Sequence, residues 1–224
     1  MSGRNLFLFD IDGTLISSGG AGSLAMRQAF AALWKLEDGF SRIEFSGRTD
    51  RAILRDAWAA HGVSANEFGD DLMRFKRAYL RRLPHTLREC KGTLLPGVVE
   101  TLQRLRRRGD ATVALATGNF RQGAALKLRH YGIFDYFCAG GFGDRAENRE
   151  DMLAEALRAC RRFGAHGDVF VLGDTVHDIA CAKAHGAVAV GVTTGPSDEA
   201  TLSAAGADIV LSSMAEAAAR LPIL

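Results

Sequence analysis

The sequence predicts an α/β fold, with a doubly wound, three-layer parallel sheet and an inserted helical cap domain. From about residue 96 onward, short apolar runs alternate with segments of helical periodicity, which is typical of repeated βαβ units. Right-handed crossovers place the helices on both faces of such a sheet, which makes the predicted arrangement Rossmann-like. Between residues 22 and 83, three helical patterns follow one another without a strand, and this segment predicts the insert.

The predicted elements follow from apolar periodicity along the chain. A continuous apolar run at residues 6–9 predicts a first strand that is buried on both faces. Further strands are predicted at 112–116, 136–139, 169–172, 188–192 and 209–211. Helices are predicted at 23–36, 51–61, 72–83, 98–108, 121–131, 150–163, 179–185 and 199–205. The pattern changes at Pro84, where the third helix is expected to end.

These elements divide the chain into a Rossmann-like core, residues 1–18 and 90–224, and a helical insert, residues 19–89. The chain crosses between the two at a glycine-rich stretch, 19–22, and again within 84–96. Both crossings are expected to act as hinges if the insert opens and closes over the core.

Length, charge and composition argue against several classes of function. The chain has 224 residues, enough for one large domain or for a domain with an insert. The 28 Lys and Arg residues nearly balance the 26 Asp and Glu residues, which argues against nucleic acid or an anionic membrane as the main partner. No apolar run approaches the ~20 residues of a membrane helix, and no signal-peptide pattern precedes the first strand. The four widely spaced cysteines favour reduced thiols, so a cytoplasmic protein is expected.

Polar residues stand at three predicted strand ends, where the ligands of such sheets bind. Asp10 and Asp12 follow the first strand, residues 117–119 read Thr-Gly-Asn after the second, and Asp174 and Asp178 follow the strand at 169–172. Carboxylates that converge on one edge offer the oxygen ligands that Mg²⁺ prefers. Helix capping is the simpler explanation for Asp174, but it does not explain Asp10.

Three segments carry a resemblance to a known family. Residues 10–14 read Asp-Ile-Asp-Gly-Thr, residues 117–119 read Thr-Gly-Asn, and residues 173–178 read Gly-Asp-Thr-Val-His-Asp. In order and spacing they resemble the signature of the haloacid dehalogenase-like hydrolase superfamily. The helical insert is similar to that family's cap, and the Pro-Gly pair at 96–97 is typical of the phosphoglycolate phosphatase-like branch.

The resemblance implies roles for the residues of these segments. Asp10 is then the nucleophile that takes the phosphoryl group, and Asp12 protonates the leaving group and later activates water. Mg²⁺ is held by Asp10, the backbone carbonyl of Asp12 and Asp174, with Asp178 in the ligand shell or just behind it. The phosphate is expected to contact a set of residues in the first two motifs: Gly13, Thr117, Gly118 and Asn119.

The sequence departs from the family at its usual lysine, because no Lys occurs between Tyr131 and Cys181. Arg149 stands where the family places that lysine, and we assign it the role of neutralising the nucleophile and the phosphate. The alternatives are a plain surface arginine at a helix start, or Arg145 in the same role. Arg48, in a glycine-flanked cap loop, either binds a second anionic group of the substrate or belongs to a plain turn before a helix cap at Asp50.

The expected function is a Mg²⁺-dependent phosphatase that acts on a small phosphorylated metabolite, such as phosphoglycolate. A phosphosugar mutase or a pyrophosphatase on the same scaffold is the alternative. A dehalogenase is less favoured because halide leaves without a proton and Asp12 would be wasted, and the intact motifs argue against an inactive binding module. No nucleic acid or membrane partner is expected, and the sequence leaves open whether the protein is a monomer or a homodimer.

Overall fold

A computed structural model describes residues 3–66, 68–146 and 148–221. Eight strands are assigned there: β1 (Arg4–Phe9), β2 (Ile16–Ser17), β3 (Thr93–Leu94), β4 (Ala111–Thr117), β5 (Gly140–Phe142), β6 (Ala165–Gly173), β7 (Val188–Val192) and β8 (Ile209–Leu211). Six of them form one parallel sheet in the order β5-β4-β1-β6-β7-β8, while β2 and β3 pair antiparallel. This order is that of a Rossmann-type doubly wound sheet, so the predicted fold class is confirmed.

The helices of the described residues are α1 (Ala21–Trp34), α2 (Asp50–Ala60), α3 (Asp70–Glu89), α4 (Val98–Arg107), α5 (Arg121–His130), α6 (Arg149–Arg161), α7 (Val176–Ala184), α8 (Glu199–Ala204) and α9 (Ala217–Arg220). Within the part of the chain that the structure describes, none of them is both long enough and apolar enough to cross a membrane.

Successive side chains of a strand point to opposite faces of the sheet. The side chains of β1 therefore pack alternately against the helices on one face and on the other, which gives the three layers. Phe7 and Phe9 join an apolar cluster that includes residues of α4, α5 and α9. Leu6 and Leu8 join a second cluster, formed with residues of α6, α7 and α8. The last four side chains of β1, Leu6 to Phe9, are almost completely buried, which explains why this run is continuously apolar.

The strand order places the carboxyl ends of β1, β4 and β6 side by side. The chain runs from β1 outward to β4 and β5 and then returns to β6 on the other side of β1. Phe9 is in register with Leu115 of β4 and with Leu172 of β6. The residues that follow these positions therefore meet at the topological switch point, where ligands of such sheets bind.

Two predicted elements differ from the structure. The third helix does not end at Pro84 but continues to Glu89, with Pro84 inside it. A proline in a helix interior costs roughly 3 kcal/mol. Leu83 and Leu87 are buried on the same helix, and each contributes about 1.5–3 kcal/mol by burial, which offsets that cost. The strand expected at 136–139 lies instead at Gly140–Phe142, after a short 3₁₀ turn at Phe134–Tyr136.

The segment between the two crossings has an apolar core of its own. Phe30 is completely buried and its ring contacts the rings of Trp34, Phe40 and His61. Helices α1 and α3 pack on one another around this cluster, and Phe120 of the core segment joins it. The β2–β3 ladder, which sequence reasoning did not anticipate, ties the two crossings together.

We predict that Phe30→Ala lowers the free energy of unfolding by about 3–5 kcal/mol, because it leaves a cavity among the aromatic rings of the cap. Urea unfolding followed by fluorescence and circular dichroism measures the change. Met73→Ala, at a cap residue that is 46% exposed, is the control and should change the free energy by less than about 0.5 kcal/mol. Equal effects of the two substitutions would contradict a packed core in the cap.

Candidate active site

A cavity of about 330 Å³ lies between the cap and the carboxyl ends of β1, β4 and β6. Its core side is polar and includes Asp10, Asp12, Gly13, Gly118, Asn119, Lys127, Arg149 and Asp174. Its cap side combines apolar and polar residues and includes Met26, Phe45, Ile53 and Tyr79 together with Ser46, Arg48 and Asp50. Of the residues expected to form the site, Thr117 and Asp178 are buried behind the cavity wall instead of lining it.

Asp10 stands at the end of β1, where its backbone N–H donates to the carbonyl of Leu172 at 2.9 Å. Burial raises the pKa of Asp10, against the lowering effect of the Arg149 charge and of a hydrogen bond from the Thr117 side chain. The position of Asp10 on the central strand fixes its carboxylate at the floor of the cavity.

Asp174 follows β6 and lies in a narrow space between two backbone segments. Its Oδ1 accepts a hydrogen bond from the Thr14 hydroxyl at 3.0 Å. A Cβ atom at Gly13 or at Gly195 would collide with its carboxylate. Gly13 also has a φ of 82°, which an L side chain rarely adopts, so both its conformation and its contact require glycine. Burial, together with the charge of Asp10, raises the pKa of Asp174 to about 7.

The acidic side chains fit a divalent cation. Carboxylate oxygens of Asp10, Asp174 and Asp178 lie within 4.8 Å of one another, and all three residues are buried. Like charges this close are unfavourable in a site of low dielectric constant unless a cation offsets them. An all-oxygen donor set suits Mg²⁺, which is usually held by only one or two carboxylates together with waters and substrate oxygens.

Arg149 is the first residue of α6 and reaches these carboxylates. Its Nη2 forms an ion pair with Asp178 and lies 3.6 Å from Oδ2 of Asp10. The other oxygen of Asp178 accepts hydrogen bonds from the N–H and hydroxyl of Thr175, which caps α7. Asp178 therefore orients Arg149 towards Asp10. Arg145, the other candidate, uses its carbonyl to accept a hydrogen bond from Arg51 at 2.7 Å.

Asp12 is held by three donors. Its Oδ1 accepts from the Ser18 hydroxyl at 3.2 Å, and its Oδ2 accepts from Nδ2 of Asn119 at 2.9 Å and from Nζ of Lys127 at 2.5 Å. Burial acts to raise the pKa of Asp12, but the Lys127 charge and these hydrogen bonds lower it below its ordinary value. Asn119 also donates to the Thr117 hydroxyl at 2.9 Å, so the two residues are linked.

Lys127 was missed by sequence reasoning, although a signal for it exists. It lies on α5 three residues after Ala124 and next to Leu128, both of which are completely buried. A lysine is almost never buried unless it is paired, so its position on an apolar helix face indicates a partner inside the protein.

The inserted helices contact residues 118–120, which follow β4, through Asp50 at the start of α2. Its N–H donates to the carbonyl of Gly118 at 2.7 Å, and its Oδ2 accepts from the N–H of Phe120 at 2.7 Å. A Cβ atom at Gly118 would collide with the carbonyl of Arg48, so glycine permits this close approach. The Arg48 side chain lines the cavity and pairs with Asp56 at 2.5 Å.

The free energy of unfolding should depend on pH because Asp50 is buried. Burial raises its pKa to about 6, although the Lys127 charge and the Phe120 N–H lower it. The folded protein thus holds the Asp50 proton more tightly than the unfolded chain, whose aspartates ionise near 3.8. Ionisation of Asp50 therefore lowers the free energy of unfolding as the pH rises from about 4 through about 6.

We predict that Asp50→Asn gains stability relative to the wild type by about 3 kcal/mol between pH 4 and pH 8, because asparagine cannot ionise. Urea unfolding of both proteins at the two pH values gives this difference. Asp38→Asn, at an exposed cap position, is the control and should follow the wild type at both pH values. Parallel curves for Asp50→Asn and the wild type would show that Asp50 ionises normally.

We also predict that Gly195→Ala weakens Mg²⁺ binding about tenfold to a hundredfold, because the added methyl group displaces the Asp174 carboxylate. Titration calorimetry of the purified protein with MgCl₂ measures the affinity. Gly109→Ala, where a Cβ atom meets nothing within 4 Å, should bind Mg²⁺ as the wild type does. Unchanged affinity in Gly195→Ala would remove Asp174 from the metal site.

Comparisons with known proteins agree with this geometry. The family model of haloacid dehalogenase-like hydrolases matches residues 5–186. The chain is 27% identical to the phosphoglycolate phosphatase of Agrobacterium fabrum over 199 residues, which cover 86% of this chain and 82% of that protein. It is 32% identical to the probable phosphatase IndB of Dickeya dadantii over 131 residues, 58% of this chain and 56% of that protein.

A solved structure shows the same fold over nearly the whole length of both chains. The hydrolase from Pseudomonas syringae superposes with a TM-score of 0.71 at 22% identity, and the match covers 99% of each chain. The predicted enzyme class, a phosphatase, is confirmed by the family model and by the curated relatives. Since the family model covers most of the chain, the protein belongs to the haloacid dehalogenase-like hydrolases.

Proposed function

We propose that this phosphatase is Mg²⁺-dependent and hydrolyses a small phosphorylated metabolite through an aspartyl-phosphate on Asp10. One observation carries the proposal. The buried carboxylates of Asp10, Asp174 and Asp178 converge at the ends of β1 and β6, with Arg149 beside them. An acidic site of this kind repels a phosphate dianion unless cations offset its charge, so the arrangement makes sense only with a bound metal ion.

Asp10 is the proposed nucleophile because it projects from the central strand into the cavity. Its carboxylate attacks phosphorus, the bond to the leaving oxygen breaks, and the phosphoryl group is held on Asp10 until water displaces it. Arg149, next to Asp10, stabilises the negative charge on the phosphoryl oxygens. The sequence also assigned one phosphate oxygen to the Thr117 hydroxyl, but that group is buried behind the cavity wall and hydrogen-bonds to Asp10. The proposed contact is therefore made by the backbone N–H groups at Gly118 and Asn119, which line the cavity.

Asp12 is the proposed acid and base. It lies two residues after the nucleophile, and its side chain is 39% exposed towards the cavity. The charge of a bound phosphate favours the protonated form of Asp12, which then gives its proton to the leaving oxygen. The ionised form that results takes a proton from the water that attacks the phosphoryl group, so one side chain serves both displacements.

Mg²⁺ is the proposed cofactor, held by Asp10, Asp174 and the backbone carbonyl of Asp12, with Asp178 adjacent. When bound, it removes the repulsion between the carboxylates and the phosphate and stabilises charge on the transferring oxygens. Asp178 contributes chiefly through Arg149 and Thr175, because both of its oxygens already accept hydrogen bonds.

Substrate size and chemistry follow from the cavity. A volume of about 330 Å³ between the cap and the core suits a small metabolite better than a polymer. Phosphoglycolate is the proposed substrate type, because several curated relatives carry that name and Arg48 offers a cation at the cap side. A phosphosugar mutase would differ in its product, since it returns the phosphoryl group to a sugar and releases no phosphate.

We further propose that residues 19–89 move as the cap domain. Their separate apolar cluster supports this division, and so do the crossings at the β2–β3 ladder. Closure of the cap brings Asp50 onto the Gly118–Phe120 segment and excludes water before phosphoryl transfer. Opening then readmits water and releases the product.

We predict that Asp10→Asn abolishes phosphate release, because an amide cannot take up and release the phosphoryl group. Purified protein is assayed with MgCl₂ and a panel of phosphomonoesters that includes phosphoglycolate and p-nitrophenyl phosphate. Excess EDTA should also abolish the activity, and added MgCl₂ should restore it. Asp198→Asn, at the exposed N-terminus of α8, is the control and should retain full activity. Full activity in Asp10→Asn or in EDTA would refute the mechanism.

A further inference from the structure

Lys127 is a buried cation for which the mechanism above has no role. Its residue is only 4% exposed, although it lies at the cavity wall. It is carried by α5, the helix that follows the phosphate-binding segment, and it reaches back towards the end of β1. Burying an ammonium group is unfavourable unless specific partners satisfy it.

Its partners are residues of the site. Nζ of Lys127 donates to Oδ2 of Asp12 at 2.5 Å and to Oδ1 of Asn119 at 2.7 Å. Asn119 in turn donates from Nδ2 to the same Asp12 oxygen at 2.9 Å. Asp12, Asn119 and Lys127 therefore form a closed triangle of hydrogen bonds in which each residue contacts the other two.

This triangle restricts the direction of the Asp12 carboxylate. Oδ2 is held by Lys127 and Asn119, and only Oδ1, which accepts one long hydrogen bond of 3.2 Å from Ser18, is less firmly bound. A side chain that is 39% exposed would otherwise rotate within the cavity. Proton transfer needs the carboxylate within hydrogen-bond reach of the leaving oxygen, so its orientation affects the rate directly.

The cap closes over the ammonium group from the other side. A Cβ atom at Gly22, in the first turn of α1, would lie 3.0 Å from Nζ of Lys127. Ionised Asp50 also lies near enough for the charge of Lys127 to lower its pKa. Lys127 is thus enclosed by the cap and the core, and its hydrogen bonds to Asp12 and Asn119 are shielded from bulk water.

We propose that Lys127 is a positioning residue that holds the Asp12 carboxylate in the orientation for proton transfer to the leaving oxygen and from the attacking water. Asp12 carries out both proton transfers. It gives a proton to the leaving oxygen as the ester P–O bond breaks, and it takes a proton from water as the bond between phosphorus and Asp10 breaks. Lys127 keeps its own protons throughout. The inference rests on the proposed function, since it concerns the acid and base of that reaction.

The first test compares two esters. Departure of the leaving group needs a proton for an alkyl phosphate such as phosphoglycolate, but p-nitrophenolate departs without one. The parameter kcat/KM reports only the steps up to that departure. We expect Lys127→Met to lower kcat/KM about 10- to 100-fold for the alkyl ester that the wild type hydrolyses best, and less than about threefold for p-nitrophenyl phosphate.

Lys127→Arg should recover a large part of the lost activity, because a guanidinium group can still donate to both Asp12 and Asn119. Circular dichroism and thermal unfolding check that the variants fold. Lys183→Met is the matched control: it also removes a lysine that is paired with an aspartate, Asp208, but this pair is exposed near the end of α7 and Lys183 does not line the cavity. It should leave both esters unaffected.

A double-mutant cycle tests whether Lys127 acts through Asp12. In the Asp12→Asn background, Lys127→Met should cause no further loss of kcat/KM for the alkyl ester, because the residue that it positions no longer transfers a proton. A loss as large as in the wild-type background would show that Lys127 acts independently of Asp12, and would overturn the inference.

The outcomes separate this inference from the proposed function. If the wild type releases phosphate but Lys127→Met is fully active, or loses activity equally on both esters, the positioning role is wrong and the phosphatase mechanism stands. If the wild type releases phosphate from no ester in the presence of Mg²⁺, the proposed function itself fails and the inference fails with it.

Discussion

The constraint on which the site depends is the burial of three carboxylates within 4.8 Å of one another. Parallel strands that end at one edge bring Asp10 and Asp174 together, and no rearrangement of side chains alone can separate them. Burial and mutual repulsion raise the pKa of Asp174 to about 7, which shows how unfavourable the ionised cluster is without a cation. The divalent cation proposed for this site would offset that cost.

Two buried cations, Arg149 and Lys127, lie beside the carboxylates of the site. Arg149 is fixed by Asp178 and faces Asp10, while Lys127 is fixed by Asn119 and faces Asp12. Asp10 and Asp12 thus each have one buried cation as a neighbour. In the proposed mechanism, Arg149 acts on the phosphoryl group and Lys127 acts on the residue that transfers protons.

Residues of the inserted helices form hydrogen bonds and ion pairs with the segments that carry the site. Helix α5 has no side-chain cap of its own, and Asp50 of the cap accepts the N–H of Phe120 at its start. Asp144 accepts the next N–H, of Arg121, at 2.6 Å and forms an ion pair with Lys76 of α3. These contacts connect the segment that carries Thr117 and the helix that carries Lys127 to the inserted helices.

Periodicity and strand-end motifs were enough to predict the sheet, the inserted helices and the residues of the acidic cluster, because these depend on local patterns. They failed at Pro84, where burial of Leu83 and Leu87 overrides the local preference of proline. The sequence by itself determined which carboxylates meet, since parallel strands must end together at one edge. Arg149 was predicted from its place in the sequence, but only the tertiary structure revealed the second cation: Lys127 stands eight residues beyond Asn119 on a helix, and its contact with Asp12 depends on how α5 packs against β1, which no local pattern records.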